Sequence, residues 1–451
     1  MKAFTVREAV AAVGGRYFGT EAALDHKVLK VSTDSRAIAQ GTLFAAFKGA
    51  RADGHDFMAD CLVRGATCCI SEREPKDASE TPCIVVRSSL EAMGALAAWY
   101  RSRFEIPVVG ITGSVGKTTT KEMIWAVLGR KFRTHKTQKN FNNELGCPQT
   151  LLNMPEDAQA AVIEMGISDF GEMSRLTRMV RPKIAVISII GHSHLEFLGD
   201  REGVLRAKAE IFEGMQAEDL AIFNGDDDLL KAYIPNTRRI TYGRGADNDF
   251  VAEEVENLGD AGMRMKICHH GQRFEVRIPA FGAHMVYAAL AGAACGWALG
   301  LSDDEIAAGI AEYETVGDRA KLIDTGRITI ISDCYNANPN STASALESLS
   351  TLQGRKVCIL GDMLELGENS ARLHFETGAK AAECGTELII SCGKLAKDIH
   401  EGAVSAGGNA MYFAEKAELI AKLDEYIQDG DSVLVKASHS MAFEEIVEAL
   451  K

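Results

Sequence analysis

The sequence predicts an α/β protein of three domains: a small N-terminal α/β unit, a central phosphate-loop (P-loop) unit with a mostly parallel sheet, and a C-terminal Rossmann-like unit. Three observations carry this. Short, near-continuous apolar runs recur along the chain, among them Ala160-Ala-Val-Ile163, Ile184-Ala-Val-Ile-Ser-Ile-Ile190 and Leu220-Ala-Ile-Phe223; such runs suit strands buried on both faces of a parallel sheet. Helical patterns separate them, the βαβ order of a doubly wound sheet. One strand-to-helix turn is rich in glycine and carries a lysine.

The elements divide into three stretches. Residues 1–86 alternate short apolar runs with turn residues. Over 87–313 strands are followed by helices, with a more polar, hairpin-like segment from Tyr242 to about Ile278 and a helix of small residues from Ala288 to Gly300. Over 314–451 a second βα series runs through Ile328-Thr-Ile-Ile-Ser332, Val357-Cys-Ile-Leu360, Leu388-Ile-Ile390 and Ser432-Val-Leu-Val435, and ends in a helix from Met441 to Leu450.

Composition narrows the function. A chain of 451 residues buries a substantial core, and a formal charge of −14 speaks against general nucleic-acid binding. No apolar run reaches the roughly 18 residues of a membrane helix, and Met1-Lys-Ala-Phe-Thr-Val-Arg-Glu8 lacks the apolar core of a signal peptide. The 11 cysteines are scattered, with no C-x-x-C pair, so free thiols in a reducing cytoplasm are expected rather than disulfides or a zinc site.

The most specific stretch is Gly110-Ile-Thr-Gly-Ser-Val-Gly-Lys-Thr-Thr-Thr120, between the apolar run Ile106–Val109 and the helical pattern Lys121–Leu128. Backbone N–H groups at a helix start point at an anion, and the helix dipole favours its charge. Gly113, Ser114, Val115, Gly116, Lys117, Thr118 and Thr119 are therefore candidate ATP contacts. The glycines leave out Cβ atoms near the phosphates, Lys117 reaches the β/γ-phosphates, and the Thr118 hydroxyl ligates Mg²⁺. The spacing departs from G-x-x-x-x-G-K-[ST], which would place glycine at Ile111.

Ligands of open α/β sheets collect at the carboxyl ends of strands. Glu164, after the run ending at Ile163, suits a Mg²⁺ ligand beside the triphosphate. The next strand ends in Gly191-His-Ser-His-Leu-Glu196, where spacing does not choose between His192 and His194 as a metal or phosphate ligand. Lys208 reads as a surface helix lysine on pattern alone. In the second series, Asp333 suits ribose hydroxyls, Asn336 and Asn338 can donate or accept, and Arg319 could neutralise a phosphate from across a cleft. In the first segment, Ser32, Asp34, Ser35 and Arg36, with Asp53, Gly54 and His55, suit a phosphorylated ligand or an ordinary turn network.

Five segments taken together resemble the Mur ligases of peptidoglycan synthesis along essentially the whole chain. They are Thr112-Gly-Ser-Val-Gly-Lys-Thr118; Asn142-Asn-Glu-Leu-Gly-Cys-Pro148 with Leu151-Leu152; Ser193-His-Leu-Glu196 with Ala207-Lys-Ala-Glu-Ile-Phe212; Tyr335-Asn-Ala-Asn-Pro339 with Ser341; and Gly361-Asp-Met-Leu-Glu-Leu-Gly367. The Asn-Asn-Glu-Leu-Gly and Tyr-Asn-Ala-Asn-Pro forms match the branch that uses D-alanyl-D-alanine. The Asp-Asn-Pro-Arg motif of the branch adding the third residue is absent.

The resemblance implies a UDP-sugar domain, an ATPase domain and a C-terminal domain that closes over the nucleotide. It implies UDP-N-acetylmuramoyl-tripeptide and D-alanyl-D-alanine as substrates, joined through an acyl phosphate by a cytoplasmic monomer. It selects His194 over His192 and marks Lys208 as a carbamylated lysine near a second Mg²⁺. Thr118 and Glu164 match the first metal site, and His284, Arg319, Asp333 and Asn336 match nucleotide contacts. Asn142 and Asn143 join the substrate contacts, and Lys117, Glu164, His194, Lys208 and Arg319 form the candidate catalytic set. Two family motifs are altered: His-Asn-x-x-Asn stands as His284-Met-Val-Tyr-Ala288, and Lys-Gly-Ser-Arg as Lys436-Ala-Ser-His439. Rival readings are another amide ligase of this fold, such as a third-residue ligase or folylpolyglutamate synthase, and a phosphate-loop nucleotide switch.

Overall fold

The computed structural model describes residues 1–49, 52–75, 81–315 and 320–451. Among them lie four sheets, and the largest positions the phosphate loop. Its nine strands run in the order Gln272–Ile278, Met263–His269, Phe250–Asn257, Arg238–Gly243, Leu220–Asn224, Ile184–Ile187, Val108–Thr112, Ala160–Glu164, Thr134–Lys136. The strands from Thr134 to Phe250 pair in parallel, and the two at the far edge form an antiparallel hairpin extension.

Val108–Thr112 is buried throughout, which explains its unbroken apolar reading. From it the chain crosses to Thr134–Lys136 and Ala160–Glu164 on one side, then to Ile184–Ile187 on the other. This reversal makes the carboxyl end of Val108–Thr112 a topological switch point, where a crevice opens.

Alternate residues of these strands feed two cores. Val108, Ala161, Ile163, Ala185 and Ile187 join a core shared with the N-terminal unit through Phe4, Met93 and Tyr100. Val109, Ile111, Val162 and Val186 pack beneath the helices Lys117–Gly129 and His284–Ala298. The small residues of the second helix permit its close approach: a Cβ on Gly292 would stand 3.0 Å from Met123 Cγ, and one on Gly296 2.8 Å from Val127 Cγ1.

The N-terminal sheet has the order Arg16–Phe18, Cys83–Val85, Ala66–Ser71, Thr42–Ala45, Lys30–Ser32, parallel except for the first pair. Phe4–Thr5 and Lys27–Val28 make a two-stranded sheet beside it. The C-terminal sheet runs Lys321–Asp324, Thr329–Ser332, Ser432–Lys436, Lys356–Gly361, Leu388–Cys392, Ala410–Phe413, with only its first pair antiparallel. Among the described residues no helix is long and apolar enough to cross a membrane.

Candidate active site

The phosphate loop leaves Val108–Thr112 and enters the helix Lys117–Gly129 through two left-handed glycines, Gly113 at φ +146° and Gly116 at φ +80°. Their reasons differ from the expected clearance for phosphate. A Cβ on Gly113 would lie 2.0 Å from Ser188 Oγ, so this glycine admits the neighbouring strand end. Gly116 has open space, its nearest atom 3.9 Å away, and is fixed by its backbone conformation.

Serines pin the loop. Ser114 N–H donates to Ile189 O at 2.8 Å, Gly191 N–H donates to Ser114 Oγ at 2.9 Å, and Ser188 Oγ donates to Val115 O at 2.6 Å. Lys117 Nζ donates to Gly113 O at 2.8 Å, curled over the turn it would leave for a phosphate. Thr119 lines the same cavity.

Thr118 and Glu164 meet directly, with the hydroxyl donating to Oε2 at 2.8 Å. The other carboxylate oxygen accepts from Asn142 Nδ2 at 2.8 Å. Thr137 Oγ1 accepts from Glu164 N–H at 2.9 Å, and Lys121 Nζ, 3.8 Å from Oε2, balances the buried charge. Asn142, expected among substrate contacts, thus orients the carboxylate. Asn143 Oδ1 accepts the N–H groups of Leu145 and Gly146 at a helix start, while its side chain also borders the cavity.

His194 and Lys208 form a second group. His192 is committed elsewhere: its N–H donates to Asn340 Oδ1 at 2.9 Å, whereas His194 lines the cavity. Burial, then the nearby Lys208 and Lys117 charges, lower the His194 pKa to about 3, so the ring is neutral at physiological pH. Its Nδ1 has no hydrogen-bond partner among the described residues; Glu365 Oε2 lies 2.6 Å away but out of line. Lys208 is no surface lysine. It is 1% exposed and, among the described residues, makes no hydrogen bond or ion pair. Burial, with Lys117 adding repulsion, pushes its pKa well below the usual lysine value.

The cavity of about 720 Å³ is bounded on one side by the phosphate loop and Glu164, on the other by Asp333, Tyr335, Asn336 and Lys436 of the C-terminal unit. Asp333 accepts from Lys436 Nζ at 2.6 Å and from Ala320 N–H at 3.2 Å. Asn336 and Asn338 both border the cavity, and the Asn338 side chain also caps the helix Pro339–Ser350. Arg319 lies outside the described residues.

His284 and Ala288 line the cavity from the same helix, His284 held below the usual histidine pKa mainly by burial. Beside them Tyr287 donates from its hydroxyl to Asp226 Oδ2 at 3.0 Å. Asn224, Asp226, Asp227 and Arg244 complete that end. Sequence reading passed over this group, although Asn224–Asp227 follow the strand Leu220–Asn224, where the strand-end rule points. His439, at the altered motif, is 73% exposed and tilts against Tyr335.

The N-terminal candidates do not reach this cavity. Both groups sit beyond the carboxyl ends of neighbouring parallel strands, Lys30–Ser32 and Thr42–Ala45. Ser32 Oγ accepts from Asp34 N–H, and Asp34 binds the Arg36 guanidinium through both oxygens at 2.9 Å. Ser35 O accepts from Arg64. His55 Nδ1 donates to Asp53 at 2.6 Å while Nε2 accepts from Glu72 N–H, and Arg73 also bonds Asp53. A Cβ on Gly54 would meet Phe47 N at 2.8 Å. Both groups are satisfied turn networks, with Arg36 extended into solvent.

Oxygen donors at Thr118 and Glu164 suit Mg²⁺, which takes one or two protein oxygens and completes its shell with phosphate and water. Among the described residues, no group of three or more His, Cys, Asp or Glu forms a metal cage.

Three family models match along the chain: the Mur ligase family catalytic domain over residues 27–101, the Mur ligase middle domain over 111–296, and the Mur ligase glutamate ligase domain over 314–439. The chain is 39% identical over 427 residues to UDP-N-acetylmuramoyl-tripeptide–D-alanyl-D-alanine ligase of Bacillus subtilis, covering 93% of this chain and 92% of that one. A crystal structure of MurF from Acinetobacter baumannii superposes with a TM-score of 0.91 at 31% identity, over 100% of this chain and 99% of that one. A MurF ligase from Thermotoga maritima, solved in complex with ADP, gives 0.83 at 28% identity over 93% and 96%.

Proposed function

The chain belongs to the Mur ligase family, and on that premise we propose that it adds D-alanyl-D-alanine to UDP-N-acetylmuramoyl-tripeptide at the expense of ATP. The observation that carries the reading is a cavity walled by a phosphate loop on one side and by strand-end polar residues of a third unit on the other.

A carboxylate resists amines because its leaving group would be oxide. A terminal carboxylate oxygen of the tripeptide attacks the γ-phosphorus of ATP, ADP departs, and an acyl phosphate results. The dipeptide amine then attacks the acyl carbon, loses a proton, and phosphate leaves with the former carboxylate oxygen. Catalysis of the first step is chiefly positioning and charge neutralisation. Loop amides and Lys117 hold the phosphates, Asp333 and Asn336 face the nucleotide from the far wall, and Asn142 keeps Glu164 aimed at Thr118. Arg319 belongs to the same role by family position. Thr118 and Glu164 would hold Mg²⁺, which would supply charge neutralisation beside the triphosphate.

His194 and Lys208 suit a second cation. Burial lowers the Lys208 pKa and so favours the neutral amine, the form that adds CO₂; the resulting carbamate would replace repulsion of Lys117 by attraction. The cysteines are free thiols, which suits a reducing cytoplasm, and a monomer is the state that the family resemblance implies.

Phosphate release from ATP should require the sugar-nucleotide tripeptide and D-alanyl-D-alanine together. Equal release with either one omitted would sink the ligase in favour of a nucleotide switch.

A further inference from the structure

Between the C-terminal unit and the cavity lies a contact that the reaction above leaves unused. Gly361-Asp-Met-Leu-Glu-Leu-Gly367 leaves the strand Lys356–Gly361 and lands on the short helix Leu195–Leu198, just after His194. The approach is backbone to backbone: Glu196 N–H points to Glu365 O at 3.4 Å, and a Cβ on Gly367 would stand 3.0 Å from Glu196 Cα. Two residues before His194, the backbone of His192 is gripped by Asn340, also of the C-terminal unit. His194 is therefore clamped on both flanks by the part of the molecule that forms the far wall.

Backbone conformation marks the same place. His194 at φ +54° and Glu365 at φ +62° are both non-glycine residues in the left-handed region, and their side chains converge. Such conformations are costly for a residue with a Cβ and persist where surrounding structure imposes them. The 2.6 Å separation of His194 Nδ1 from Glu365 Oε2 is a hydrogen-bond length, and only alignment is missing. A modest turn of the ring supplies it. A histidine that ligates a metal commonly donates its other ring N–H to a carboxylate, which fixes tautomer and orientation.

We propose that Glu365 is a positioning residue: once the C-terminal unit is docked, its carboxylate accepts the Nδ1 proton of His194 and aims Nε2 into the cavity. The inference rests on the ligase reading and extends it, because it ties assembly of the cation site to docking of a separate unit. Glu365 touches no reacting atom in this scheme.

The test measures Mn²⁺ affinity by electron paramagnetic resonance in the presence of a non-hydrolysable ATP analogue, alongside steady-state kinetics, on full-length Glu365→Gln, Glu365→Ala and Gly367→Ala. Losses of about 10–100-fold in the weaker Mn²⁺ affinity and in kcat are expected for Glu365→Ala. Glu365→Gln, which keeps the shape and an acceptor oxygen, should lose less, and KM for ATP should stay within twofold in both. Gly367→Ala keeps the carboxylate but lifts the loop from Glu196, so it should reproduce the Glu365→Ala pattern. Wild-type Mn²⁺ affinity and kcat in both Glu365 variants would overturn the proposal and leave the ligase assignment standing. The Mn²⁺ titration reads the contact even without ligation, so failure of the two readings is distinguishable.

Discussion

Glu164 carries more of the site than its position at a strand end suggests. It is buried, and each of its oxygens already holds a donor, Thr118 on one and Asn142 on the other. Removing the carboxylate takes away one of the two oxygen donors proposed for Mg²⁺ and leaves the buried Thr118 hydroxyl and the half-buried Asn142 amide unmatched. Glu164→Ala should therefore lower kcat by about 100-fold or more, with a near-native circular dichroism spectrum; turnover within a few-fold of wild type would refute the role. Lys117→Ala should behave likewise, its main effect falling on phosphoryl transfer. The loop glycines separate in a different assay. Gly116→Ala meets open space and should cost only the left-handed backbone penalty, about 1–2 kcal/mol. Gly113→Ala drives a Cβ to 2.0 Å from Ser188 Oγ and should lower the thermal midpoint considerably more. Equal midpoints for the two variants would show that the strand-end approach is not what fixes Gly113.

At the level of elements, the phosphate loop is held in place by two helices packed against the helix that follows it. The helices His284–Ala298 and Asp303–Ala311 pack on Lys117–Gly129 through glycines. A Cβ on Gly309 would stand 2.5 Å from Val127 Cα, which is backbone and cannot yield cheaply, whereas one on Gly292 meets the flexible Met123 side chain at 3.0 Å. Helix propensity alone makes Gly→Ala stabilising by about 1 kcal/mol. At Gly309 the sign should reverse, with a loss of about 1–3 kcal/mol from overpacking, while Gly292→Ala stays close to neutral. Denaturant midpoints of the pair decide this, and a stabilised Gly309→Ala would contradict it.

The same elements show what a sequence can and cannot disclose. Strands buried on both faces, such as Val108–Thr112 and Ala160–Glu164, write themselves as apolar runs, and a strand-end acid next to a phosphate loop is a readable sign. The edge strands Lys321–Asp324 and Ala410–Phe413 are half-solvated and mixed in composition, and they escape that reading. Lys208 was legible only by family likeness, because its burial depends on packing against elements distant in the chain. The reach of Glu365 toward His194 spans two units and leaves no local trace.

For the molecule as a whole, buried neutral histidines link stability to pH. His374 is fully enclosed: its Nδ1–H donates to Ser370 O at 2.7 Å and its Nε2 accepts the Met363 N–H at 2.9 Å, so a second ring proton would have no acceptor and would face a donor. His135, in the central unit, donates from Nε2 to Thr150 O at 2.8 Å. Burial lowers the pKa of both. A group whose folded pKa is depressed binds protons more readily when unfolded, so its stabilisation is present above the unfolded value, about 6.5, and is lost as pH falls toward the folded one. Urea midpoints should accordingly drop between pH 7.5 and 5.5, before carboxylates protonate. In His374→Gln, which can still donate to Ser370 and accept from Met363, the drop should be smaller than in the wild type, whatever its midpoint at pH 7.5. An unchanged slope in that variant would mean that the loop ending at Gly367 tolerates a charged His374, and that acid sensitivity arises elsewhere.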